Sequence, residues 1–198
     1  KYGVNFVKRA WKKAGKRGGR LYSIQVLKRL LRSKGGLAKV YAKYANASLV
    51  PKLAFPEGAE YARPKIRTIK LGKRKGKRLT RRVHHLSSRS VRFAPRSGVK
   101  KRWRLQVKVN GPARRTSPAV ALLIQKRNGQ FVQKTMRLNK RGSGRIRVSF
   151  GRRKVAAVSV TLANASTRYR CHKRNIFACR GISLDDKQRF TLRVRTVR

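Results

Sequence analysis

Of 198 residues, 57 are lysine or arginine and 4 are aspartate or glutamate, a formal net charge of +53. Nothing else in the sequence limits folding as severely. A compact chain confines these charges in a small volume, and their repulsion opposes the folded state. Salt screens the repulsion beyond about 10 Å at 0.1 M, but neighbouring lysines still repel. Two situations make such a charge tolerable: a polyanion that neutralises it, or a scaffold stable enough to wear a supercharged surface. Both predict polyanion binding, because released counterions drive association. The same count narrows the chemistry. So few carboxylates leave little room for a carboxylate-dyad enzyme, and an oxygen cage for Ca²⁺ or Mg²⁺ wants several acidic ligands. Hydrophobic residues still make up 39% of the chain, enough for a core and unlike a disordered polycation.

Residues 1–50 read as a helical segment. Val4, Val7, Trp11 and Ala14 recur at the spacing of one helix face. Gly15, Gly18 and Gly19 interrupt that pattern. Ser23 then suits an N-cap ahead of the stripe Ile24, Leu27, Leu30 and Leu31. Gly35 and Gly36 sit where a helix ends. A third helix carries Leu37, Val40, Tyr41 and Tyr44 and should end by Pro51. Lys8 and Lys12, like Lys39 and Lys43, repeat four apart, where like charges destabilise by roughly 0.2–0.5 kcal/mol per pair.

Residues 51–85 read as a basic linker punctuated by Pro51, Pro56 and Pro64, with Glu57 and Glu60 near its start. The run from Lys70 to Arg78 lacks apolar periodicity and is expected to be a mobile loop. Such a run serves either as a nucleic-acid arm or as a solvated linker. The candidate nucleic-acid contacts are Lys70, Lys73, Arg74, Lys75, Lys77, Arg78, Arg81 and Arg82, with Lys100, Lys101 and Arg102.

From residue 86 to 198 the apolar period falls to two. Val91 and Phe93 share one face, and Leu105, Val107 and Val109 alternate with Arg104, Gln106 and Lys108. Val120–Gln125 reads as a central strand. Asn128-Gly129 predicts a two-residue hairpin with both turn residues at positive φ, returning through 131–138. Ile146, Val148 and Phe150, the run 155–163, and Phe190, Leu192 and Val194 complete the strands. The expected fold is α+β: a small N-terminal helical segment followed by an antiparallel β-sandwich of jelly-roll type. A cationic layer is expected outside each sheet, and Trp11, Phe93, Trp103, Phe131 and Phe190 are expected in the core.

Few constellations carry chemistry. Cys171 and Cys179 bracket a short loop, and a disulfide between them is the leading reading. It would stabilise by about 2–3 kcal/mol and belongs to an oxidising compartment. A metal site with His172 and a pair of free thiols are the alternatives; zinc spacing is lacking. His84 and His85 are adjacent on a strand, so they point to opposite faces and make poor joint ligands. Asp185 and Asp186 fit a turn, where they would bond amides or pair with arginines. No phosphate loop, catalytic triad or zinc helix is present.

The segments Leu21–Gly35 and Thr161–Cys171, with Phe177-Ala178-Cys179 and Leu184-Asp185-Asp186, resemble the C-terminal region of secreted metalloprotease-like proteins of actinobacteria. The resemblance covers most of the chain. It implies secretion, a Cys171–Cys179 disulfide, and an order of helical catalytic-domain end, linker and all-β accessory domain. The zinc-binding helix would lie upstream, so no protease activity comes with the likeness. This sequence departs from the family by being uniformly basic at Lys8, Lys12, Lys13, Lys28, Lys39, Lys43, Lys108 and Lys134.

The sequence thus predicts a non-enzymatic polycation that binds nucleic acid, another polyanion or an anionic membrane surface by charge, without reading bases. No cofactor, metal or small-molecule substrate is expected, and mutual repulsion favours a monomer when unbound. The alternatives are an accessory β-domain of a secreted protease-like protein, or a ribosomal or ribonucleoprotein component. There is no initiator methionine, and the chain reads as a fragment or processed product. No apolar run is long enough for a transmembrane helix.

Overall fold

The computed structural model describes residues 3–14, 23–174 and 179–198, without the side chains of Ser23, 171–174 and 179–180. Four helices come first: α1 (Gly3–Ala14), α2 (Ser23–Leu30), α3 (Leu37–Ala47) and the single turn α4 (Pro51–Ala54). Gly35 and Gly36, at φ 88° and 89°, separate a 3₁₀ turn at Arg32–Lys34 from α3. Proline opens α4 instead of only ending α3, since its missing N–H is an orphan at a first helical position.

Eleven strands follow among the described residues: β1 (Thr68–Leu71), β2 (Gly76–Val83), β3 (Ser87–Pro95), β4 (Arg104–Asn110), β5 (Pro118–Lys126), β6 (Phe131–Thr135), β7 (Ser143–Ser149), β8 (Val155–Asn164), β9 (Tyr169–Arg174), β10 (Cys179–Ser183) and β11 (Gln188–Val197). One sheet runs β1-β3-β8-β5-β6, the other β2-β11-β4-β7, and β9 and β10 form a separate hairpin. The inward residues of the two large sheets meet in a single core. Phe93, Phe150, Phe190, Leu105, Leu122, Leu162 and Leu192 are all fully buried there. The architecture is a mixed α+β sandwich.

Several expectations change. The linker read over 51–85, with its expected mobile loop at Lys70–Arg78, instead contributes β1 and β2, because Leu71, Leu79 and Val83 reach the core. The sandwich is not wholly antiparallel: β1 pairs with β3 in parallel, Thr68 beside Arg92. The hairpin at Asn128-Gly129 has three loop residues. Lys126 N–H donates to Gln130 O at 2.8 Å, Gly129 N–H donates back to Lys126 O, and only Gly129 takes positive φ, 83°. This is a type I turn followed by a left-handed glycine.

The helices pack on faces that the stripes only partly indicate. On α1, Val4, Val7 and Trp11 stay exposed, while Phe6 and Ala10 are half-buried and Ala14 is buried. α1 lies against α2, and the flank it turns there is not the expected one. On α2 the fully buried residue is Val26, with Ile24, Leu27 and Leu30 half-buried. Trp103 and Phe131 are also only half-buried.

α3 covers the outer face of the five-stranded sheet. Ala38, Tyr41 and Ala42 pack on Ala119, Ala121 and Ala163, and these small residues let helix and sheet approach closely. Two polar ties fix the register. The buried Asn46 donates to Thr161 Oγ1 at 3.0 Å, and Gln133 donates to Lys43 O at 3.0 Å. Inserting bulk here forces helix and sheet apart. Ala121→Leu should therefore lower stability by about 1–3 kcal/mol in urea unfolding. Lys43→Ala, with its side chain in solvent, should stay within about 0.5 kcal/mol of the parent.

Candidate functional site

With α3 over one sheet, the open sheet face belongs to β2-β11-β4-β7. Strand alternation sends Leu192, Val194, Leu105 and Val107 inward, so their neighbours point out. Register then sets cations beside cations. Arg78 pairs with Arg193, Arg193 with Lys108, and Lys108 with Arg145. These four form one row across the sheet, about 4.8 Å between successive strands, and all are exposed. Around the row stand Arg82 opposite Arg189, Arg195 opposite Gln106, and Gln106 opposite Arg147. Arg147 Nε donates to Gln106 Oε1 at 3.1 Å, and Arg104 donates to Ser149 Oγ at 2.7 Å. No carboxylate lies in these strands. Like charges directly opposite destabilise a sheet, so an anion laid across the row relieves strain that the chain cannot relieve itself.

The cationic layer expected outside each sheet is dense on one only; on the other, Arg92 is half-buried against Gln125 and Lys70 stands at the β1 edge. Directly under α3 the other sheet's outer face is mostly alanine, serine and threonine.

The predicted contacts scatter into three places. Arg78 and Arg82 belong to the open face. Lys77 and Arg81 share the inward phase of Leu79 and Val83 on edge strand β2, and Arg81 is half-buried with its Nη1 donating to Thr80 O. Lys70 is exposed one residue before the end of β1, and Lys73, Arg74 and Lys75 make the turn into β2. That turn is held. Buried Thr196 donates through its N–H to Lys75 O at 2.9 Å and through Oγ1 to Gly72 O at 2.5 Å. Lys100, Lys101 and Arg102 are exposed between β3 and β4. The turn and this loop approach each other, since a Cβ at Gly98 would meet Lys73 Cε at 3.3 Å. Sequence reasoning missed Arg193, Lys108 and Arg145 as members of one site. The alternation was visible; the register that aligns four strands was not.

A second basic feature is a cleft of about 810 Å³ where α2 and the start of α3 meet the strand end after β8. Lys28, Arg29, Arg32 and Arg168 line it with Ser117, Thr167 and Tyr169, and Lys28 Nζ reaches Thr167 Oγ1 at 3.5 Å.

The acidic pair holds structure together, as its turn position predicted. Asp185 accepts from Ser166 Oγ at 2.5 Å and pairs with Arg168 Nη1 at 3.2 Å, while its own carbonyl accepts from Asn164 at 2.6 Å. Asp186 accepts the His85 backbone N–H at 2.8 Å and lies 3.3 Å from His84 Nδ1. The backbone bond from His85 holds the Asp186 carboxyl below its ordinary range. The His85 ring packs edge-on to Tyr169, centroids 4.6 Å apart, and its two nitrogens are buried without a hydrogen-bond partner. Burial pushes its pKa down despite the nearby aspartates. Glu57 and Glu60 are exposed beyond α4. Among the described residues no three His, Cys, Asp or Glu side chains converge as metal ligands.

The β9–β10 ladder sets Cys171 opposite Gly181 and Cys179 opposite Arg174. The side chains of both cysteines, and hence the predicted bond, lie outside the described residues, as does that of His172. No described helix is long and apolar enough to cross a membrane.

No protein-family model matches the chain, and no curated protein matches it. Among solved structures, the pre-peptidase C-terminal domain of collagenase from Bacillus anthracis is similar over 69% of this chain and 100% of its own, at 7% identity and a TM-score of 0.35. The insecticidal delta-endotoxin Cry8Ea1 from Bacillus thuringiensis matches 59% of this chain and 19% of its own, at 11% identity and a TM-score of 0.28. A β-glucosidase from Paenibacillus barengoltzii matches 70% and 14%, at 11% identity and a TM-score of 0.23. The first of these is a C-terminal domain of a bacterial collagenase. At these scores the likenesses carry no argument about activity.

The His85 environment sets a pH dependence. A histidine pKa depressed by folding adds stability above its unfolded value of about 6.5, and that stability is lost as pH falls through the lower folded value. Asp186, also depressed, acts in the same direction at more acid pH. The melting temperature should therefore fall as pH drops below about 6.5. His85→Phe should flatten the first part of that fall.

Proposed function

We propose that this chain is a non-enzymatic nucleic-acid-binding protein that holds its partner by charge on the open face of the four-stranded sheet. The observation carrying this reading is the row Arg78–Arg193–Lys108–Arg145, with no acid on the strands that bear it. Lysine and arginine on a flat face contact phosphates, which position a partner without reading its sequence. Aromatic side chains for base stacking are absent from the outward positions of these strands. Binding is then sequence-tolerant and driven by counterion release. Asp185 and Asp186 are engaged with Ser166, Arg168, His84 and the His85 backbone at the turn before β11, and no reaction is assigned to them. An extracellular setting fits the disulfide reading of Cys171 and Cys179.

The strand order supports a finer reading of the fold. Without β1, the sheets are β2-β11-β4-β7 and β3-β8-β5-β6, joined throughout by antiparallel pairs. That is the order of an eight-stranded jelly roll, and β1 and the β9–β10 hairpin are additions. Jelly rolls serve as capsid and lectin domains among other uses, so the architecture alone selects no activity. Joined to this charge, it favours a second, more specific reading: a coat subunit that encloses nucleic acid. Particles seen by electron microscopy only when nucleic acid is present would support it, and a monomeric complex would remove it.

Salt titration tests the first reading. The logarithm of affinity for duplex DNA should fall linearly with the logarithm of salt, equally for unrelated sequences. Replacing Arg78, Lys108, Arg145 and Arg193 together by glutamine should make that slope shallower by about 3–4. The same charge removed at exposed Lys34, Lys52, Lys65 and Arg67 should change it less. Equal effects from the two sets would show that the face has no special part.

A further inference from the structure

We propose that α1 is a separate attachment device, an interfacial helix that lays Val4, Val7 and Trp11 into an anionic lipid surface. A soluble domain gains nothing from displaying these side chains. Trp11 and Val4 are each 69% exposed and Val7 is 51% exposed. At 100° per residue the three fall within an arc of about 60°, a continuous apolar strip. The flank of Ala10 and Ala14 is already used, because Ala14 is buried and α1 lies against α2. The strip borders that packed flank and carries the apolar surface of the helix on into solvent.

Charge chooses the occupant. Lys8, Arg9, Lys12 and Lys13 are exposed around the remaining arc, and α1 contains no acid. An apolar strip beside a dense cationic face is the pattern of helices that lie in the plane of a bilayer. Anionic headgroups meet the cations, and the acyl boundary takes the strip. A second copy of the chain is a poor occupant, because each copy carries +53. Nucleic acid satisfies the lysines, but it offers Val4 and Val7 no apolar surface. Trp11 suits the interface, with an apolar ring body and a polar N–H. The helix spans 12 residues, about 18 Å along the surface, too short to cross a bilayer.

The test uses the full chain with vesicles of phosphatidylcholine alone and of phosphatidylcholine mixed equally with phosphatidylglycerol. Tryptophan emission should shift to the blue with the anionic vesicles only, and the shift should vanish in Trp11→Phe, which leaves Trp103 as the reporter. Val4→Ser, Val7→Ser and Trp11→Ser combined should weaken vesicle partitioning about 10-fold or more. All three side chains face solvent, and circular dichroism checks that the fold persists. DNA affinity should be unchanged in that variant, so this result is independent of the sheet-face reading. Full vesicle binding by the triple variant would overturn the inference, since charge alone would then suffice. A Trp11 shift produced by duplex DNA but not by vesicles would also overturn it, as would self-association through the strip without lipid.

Discussion

Face-to-face packing of the two sheets is the interaction that lets a chain of this charge fold. Phe93, Phe150 and Phe190 are completely buried between them, and each contributes the large apolar area that aromatic side chains bring to a core. Around them a ladder of leucines and valines closes the interior. The period of two makes this possible in a sequence so rich in lysine and arginine. Each strand can give alternate positions to solvated charge without losing one core contact. A helical protein of the same composition would need a wide apolar stripe on every helix. The first helix here shows the difficulty, with part of its apolar surface used against α2 and the rest left in water.

The two sheets differ in what covers them, and the difference locates the surface on which an anion can act. Alanines and a threonine on β5 and β8 accept α3. Outside that pair the sheet edges are reinforced by β1 and β6. The four-stranded sheet has no described helix on its outer side, and about half of its outward residues are arginine or lysine. Covering this face with a helix would bury unpaired guanidinium groups, which costs far more than the packing returns. Its composition keeps it open, and its openness keeps it available.

The sequence made the strands legible and left the assembly hidden. Leu105, Val107 and Val109 announced β4, and Phe190, Leu192 and Val194 announced β11, because alternation is a local property. Strand β2 went unseen. At an edge, only Leu79 and Val83 need to be apolar, so Gly76–Val83 reads as a basic run. Thr196 gave no hint that it anchors the turn at Lys75, 121 residues away. The packed flank of α1 was likewise misread, since a stripe of valine and tryptophan at helical spacing states what is apolar and not what it touches. Arg78, Arg193, Lys108 and Arg145 were each visible as basic residues. Their union into a row depends on three pairings between strands that are far apart in the chain, and no local pattern encodes those registers.

The placement of the described carboxylates completes the logic of the cationic face. Asp185 and Asp186 sit in the turn that leads into β11, where they fasten Ser166, Arg168 and the His84-His85 corner. From the start of β11 at Gln188, the row at Arg193 lies five residues along the strand, about 17 Å at 3.3 Å per residue. That exceeds the screening length of about 8–10 Å at physiological salt, so these acids barely lower the potential over the row. They can stabilise the turn without neutralising the sheet. Asp186 depends on a backbone N–H and a neighbouring imidazole, and Asp185 takes Arg168, a cation at the rim of the cleft. Acids moved onto β2, β4, β7 or β11 would pair with the row directly and remove the reason for an anion to bind there. Asp185 and Asp186 stand where geometry needs a hydrogen-bond acceptor, and none of the four acids lies on the strands of the cationic face, where an external anion can supply the negative charge.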